Sequence, residues 1–146
     1  MTQATIDFLR LQQAVEALGL TLMANPDASM LAVTYKDVRI SLSAGVAEHA
    51  LVVTGYPSHF LPLDEREKVF SWCADFARRN RWATPKPFYD GHVQEPKGIG
   101  AAVVVTILTP AGASDAQLKS WAGHAITQAA AAVGDYEALV VSEPRD

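Results

Sequence analysis

Three β-prone segments between residues 20 and 56 constrain this chain most. Met30–Tyr35, Val38–Ser43 and Leu51–Tyr56 follow one another closely, and only Lys36-Asp37 separates the first two. A parallel pair needs a crossover of roughly a dozen residues or more, so the spacing predicts an antiparallel meander. Val38, Ile40 and Leu42 alternate with polar neighbours, the period of a half-buried strand. Leu20–Met23 is a further extended candidate, and Asn25-Pro26-Asp27 is a turn signal. Gly45 marks the loop before the third segment; Gly55 and Pro57 mark its end.

Three helices flank these strands. Phe8, Leu11, Val15 and Leu18 recur at helical spacing within about Thr5–Leu18, and Gly19 stands where a left-handed stop belongs. After the loop Tyr56–Leu63, Asp64 with Glu67 resembles a capping box opening a second helix. Its stripe is Val69, Phe70, Cys73, Phe76 and Ala77, and its end at about Arg79 is cationic. Ser114 with Gln117 predicts another capping box. Leu118, Trp121, Ala122, Ala125, Ile126, Ala129 and Val133 trace one face of a long third helix, with Gly134 as its expected stop. Tyr136–Val141 reads equally as a helical extension or a terminal strand.

Between the second and third helices, Phe88-Tyr89 is β-prone and Asp90-Gly91 reads as a hairpin turn. Gln94–Gly98 reads as loop or irregular edge, and Ala101–Leu108 as a strand buried on both faces. The expected order is α-β-β-β-α-β-β-α: an α+β fold with an antiparallel sheet and helices packed mainly on one face. With 146 residues, it is read as one domain, 1–146, with a core of about 5–141 and a loose tail at 142–146.

Composition narrows the function classes. Apolar residues make up 49% of the chain, enough for a sizeable core. Twelve Lys+Arg against 16 Asp+Glu give a net charge of −4, which argues against non-specific nucleic-acid binding. The one cysteine, Cys73, permits no intrachain disulfide and fits a reducing cytoplasm. Met1–Arg10 lacks a basic segment followed by an apolar run, so no signal peptide is expected. No apolar run approaches the roughly 20 residues of a membrane span.

Signals for catalysis are weak. His49, His59, His92 and His124 are isolated in sequence and form no metal-ligand spacing. Cys73 sits on the apolar stripe between Phe70 and Phe76, the place of a core cysteine rather than an activated thiolate. Gly98-Ile99-Gly100 precedes a strand instead of opening a helix, so it reads as a bulge or close backbone approach, not a phosphate loop. No catalytic residue, metal or cofactor is assigned.

The most unusual segment is Arg78–Lys97. Its five Lys/Arg and two acids give +3, leaving −7 for the remainder. Trp82, Phe88 and Tyr89 interleave with the cations, a composition that can grip single-stranded nucleic acid. The same residues also serve as a helix end followed by core aromatics, or as a contact for an acidic protein surface.

Several segments resemble the YbjN-like family: Gly19 with Leu20–Met23, Val33-Thr34-Tyr35, Phe76 to Trp82, Lys86-Pro87-Phe88-Tyr89-Asp90, and Thr106–Leu108 running through Gly112 to Gln117-Leu118. The layout is also similar to class I type III secretion chaperones, with Leu61-Pro62-Leu63 in the place of their Leu-Pro-Leu-like loop. This resemblance implies a secretion chaperone-like fold, usually dimeric, that binds other proteins. The leading expectation is therefore a non-enzymatic, cytoplasmic interaction module, a homodimer with an unidentified protein client. Candidate partner-binding residues are Phe60, Leu61, Trp72, Phe76, Arg78, Arg79, Arg81 and Trp82, each also a candidate for ordinary packing or a solvated helix end. The alternatives are nucleic-acid binding through 78–97, or a small ligand in a pocket between sheet and helices.

Overall fold

The protein is described by a computed structural model over residues 5–25, 27, 29–44, 49–92 and 95–142. The elements are α1 (Phe8–Ala17), β1 (Leu22–Asn25), β2 (Met30–Tyr35), β3 (Val38–Ala44), β4 (Ala50–Tyr56), α2 (Arg66–Arg79), β5 (Ala83–His92), β6 (Glu95–Leu108) and α3 (Asp115–Ser142). The strands form one antiparallel sheet in the order β1-β2-β3-β4-β6-β5. The expected α+β architecture is present, with one more strand: β1 pairs with β2 at the sheet edge.

Strand alternation sets the layers. Leu31 and Val33 on β2 face across to Leu42 and Ile40 on β3, and these to Val53 and Gly55 on β4. All of them are buried under the helices. The intervening residues point to the opposite face, over which no helix packs among the described residues. α3 crosses β2, β3, β4 and β6 on the helical side, with α1 and α2 beside it.

Alanines let α3 approach the sheet. Ala122, Ala125 and Ala129 are fully buried, and a Cβ on Gly55 would lie 2.9 Å from Val133 Cγ2 and 3.2 Å from the Ala129 carbonyl oxygen. The capping box forms as expected: Ser114 N–H donates to Gln117 Oε1 at 3.0 Å and Gln117 N–H to Ser114 Oγ at 3.1 Å. Ser114→Ala is expected to cost about 1 kcal/mol in a urea unfolding curve, at the usual cost of a lost N-cap.

Four local expectations need correction. Gly134 does not stop α3: it is helical, and the helix runs on through Tyr136 to Ser142. A helical Gly costs about 1 kcal/mol; complete burial of Tyr136 and near-complete burial of Val140 in the next two turns outweigh that. Asp64 and Glu67 make no capping box. A 3-10 turn at Leu63–Glu65 follows Pro62, and α2 starts after Glu65, whose side chain makes no cap hydrogen bond. Asp90-Gly91 is not the hairpin turn. Gly91 takes φ 95° at a register shift inside the β5–β6 pair, as a bulge does. Residues 95–98, read as loop, are strand, because β6 begins at Glu95. The expectations for Gly45, for Gln94 and for most of the tail (143–146) fall outside the described residues.

Candidate interaction site

Four aromatic rings run in a column from the core to the surface. Tyr136 of α3 is 0% exposed and meets Trp72 of α2 edge-on, with centroids 5.5 Å apart. Trp72 stacks on Phe76 at 5.0 Å, one helical turn on. Phe76 meets Trp82 edge-on at 6.0 Å. Trp82 stands just past the helix end and is 40% exposed. Spacing produces the column: residues i and i+4 of α2 share a face, and the chain turns at Asn80, whose N–H and Nδ2 both donate to the Phe76 carbonyl oxygen.

Three cations lie near the exposed end in sequence. Arg78, Arg79 and Arg81 are all exposed. Arg78 pairs with Asp75, and Arg79 reaches Asp135 at 4.0 Å. Asp135 also accepts from Trp72 Nε1 at 3.2 Å, which ties α3 to α2. Arg81 has no ion-pair partner among the described residues.

The eight sequence candidates thus divide. Leu61, Trp72 and Phe76 are buried at 5%, 7% and 4% exposure, where they build core rather than a free surface. Leu61 also forms a β-bridge with Ile99. Phe60 is half-buried against Phe88 at 6.3 Å. Trp82, Arg78, Arg79 and Arg81 are each exposed. Phe88, an aromatic of the same 78–97 segment, belongs to a different ring group from Trp82. Phe88 packs between Tyr56 and Phe60, away from the Trp82 column.

Sequence reasoning missed the clamp on the loop after β4. Ser58 Oγ donates to Glu137 Oε1 at 2.8 Å, and His59 Nδ1 bonds the other oxygen of the same carboxylate. Tyr136 OH donates to the His59 carbonyl oxygen at 3.1 Å. Ser58 and His59 both address Glu137, so they fasten the loop to α3 rather than forming a nucleophile–base–acid relay. Their partner lies 79 and 78 residues away, beyond the reach of local pattern. Gly98 and Gly100 lie against this loop: a Cβ on Gly98 would be 3.1 Å from the Leu61 carbonyl oxygen, and one on Gly100 3.0 Å from Pro57 Cγ. That is the close backbone approach expected of the glycine cluster.

Among the described residues, no group of three or more His, Cys, Asp or Glu gathers as a metal site would. Cys73 is half-buried, and burial pushes its thiol up from 9.0 to about 11. The thiolate is the reactive form, so native Cys73 is expected to react slowly with a disulfide reagent at neutral pH and quickly once guanidinium unfolds the chain. Because the folded thiol holds its proton more tightly than the unfolded one, its contribution to stability is present below pH 9 and declines as pH rises toward about 11.

Fold comparison gives a structural neighbour. The chain superposes on the crystal structure of YbjN, "a putative transcription regulator from E. coli", with a TM-score of 0.65 over 94% of this chain and 95% of that one. This is a YbjN-like fold. Identity is 10%, so the likeness is one of architecture. No protein-family model matches the chain, and no curated protein matches it in sequence. No helix among the described residues is long and apolar enough to cross a membrane.

Proposed function

We propose that this chain is a non-enzymatic protein-interaction module that contacts an acidic, partly apolar protein surface through Trp82, with Arg78, Arg79 and Arg81 around it. The exposed Trp82 at the end of the ring column carries this reading. Trp and Arg are the residues most enriched where binding energy concentrates. A ring held from behind by Phe76 loses little freedom on binding, which lowers the entropic cost of association. The cations orient an acidic partner and speed encounter. A chaperone-like role toward an extended client, acting as a cytoplasmic homodimer, extends this reading. Light scattering at micromolar concentration tests the dimer: a species of twice 15.7 kDa is expected, and a strict monomer contradicts it.

Nucleic-acid binding through 78–97 is the second reading, favoured by the local +3 charge and by the description of YbjN as a regulator. It needs a continuous stacking platform, whereas Phe88 and Trp82 belong to separate aromatic groups. Titration with single-stranded RNA separates the two readings. No binding at low salt, where the electrostatic attraction is greatest, ends the second; salt-sensitive binding abolished by Arg81→Gln restores it.

A further inference from the structure

The helix-free face of the sheet carries a cleft of its own. Arg39 and Ser41 lie two residues apart on β3 and share that face. The register sets Arg39 opposite Tyr56 on β4, and Ser41 opposite Ala32 on β2. Phe88 from β5 meets Tyr56 edge-on at 5.4 Å, with rings at 63°. Between these residues and Met30 opens a cleft of about 310 Å³. That volume is at the small end of ligand-binding clefts.

Its polar groups are incompletely satisfied. Ser41 is 8% exposed, and its Oγ lies 3.0 Å from Tyr56 OH. Each hydroxyl has one proton to give. Whichever of the two donates, the other's proton finds no acceptor among the described residues. Arg39 is exposed at the same cleft and has no ion-pair partner among the described residues. A spare hydroxyl donor and an unpaired guanidinium thus meet beside an apolar wall.

We propose that this cleft binds a small apolar carboxylate. The apolar body lies against Met30, Ala32 and the rings of Tyr56 and Phe88. The carboxylate takes the guanidinium of Arg39, a geometry suited to two parallel hydrogen bonds, and accepts the spare hydroxyl proton. The site goes beyond the protein-binding reading and uses none of its residues. The probes are 3-phenylpropionate and its neutral amide, 3-phenylpropionamide, followed by backbone amide shifts in NMR. The acid is expected to saturate, with shifts centred on residues 30, 32, 39, 41, 56 and 88. The amide should bind at least about tenfold more weakly, as should the acid to Arg39→Gln. Lys119→Gln, on α3 across the sheet, should change nothing. Equal binding of acid and amide, undiminished binding to Arg39→Gln, shifts centred on the helices, or no saturation overturns the proposal.

Discussion

Tyr136→Ala is expected to lower the unfolding free energy by about 3–5 kcal/mol, the range for truncating a large buried aromatic. Tyr136 is 0% exposed and is the largest fully buried side chain among the described residues. Its ring supports Trp72, and its hydroxyl holds the loop after β4 through His59. Truncation therefore opens a cavity between α2 and α3 and leaves the His59 carbonyl without its donor. Tyr136→Phe keeps the ring and loses only the hydrogen bond, so it should cost about 1 kcal/mol. Urea unfolding of both variants checks the split. Equal losses would mean that the ring's packing contributes nothing beyond its hydroxyl.

The second large effect is at Gly55. At an unconstrained strand position, Gly→Ala gains about 0.4–1 kcal/mol by reducing unfolded-state entropy. Here the sign should reverse, because the new methyl would meet Val133 Cγ2 at 2.9 Å and the Ala129 carbonyl oxygen at 3.2 Å. Val133 is β-branched and cannot swing away cheaply. Gly55→Val should therefore destabilise by about 2–3 kcal/mol, the usual size of an overpacked core. Val133→Ala gives the test of cause. Combined with Gly55→Ala, it should be more stable than the sum of the two single losses by about 1 kcal/mol, since the two changes share one space. Strict additivity would show that α3 does not press on β4 here.

Much of this fold was legible because it rests on local pattern. Val38, Ile40 and Leu42 alternate, and Ser114 with Gln117 caps α3 as the spacing suggested. Two of the misreadings share one physical origin: a glycine with a strong local preference was overruled by burial or pairing. Gly134 stays helical because Tyr136 and Val140 anchor the turns beyond it. Gly91 bends a strand instead of ending one because β5 and β6 continue pairing past it. The candidate site was legible only as a list of residue types. Trp72, Phe76 and Trp82 were singled out, but the sequence did not separate the two that build the column from the one that ends at the surface. The cleft at Arg39, Ser41 and Tyr56 left no mark in local spacing, since its residues converge through strand register.

The central functional claim is that Trp82 anchors a protein partner, and quantitative affinity capture with three baits tests it most directly. Wild type and Leu9→Ala, which truncates another exposed apolar residue, on α1 and 60% exposed, should retain the same partner. Trp82→Ala should lose it by at least about tenfold, the loss of one interface anchor, while its unfolding curve stays cooperative. Capture of the same partner in the same amount by Trp82→Ala would contradict the claim.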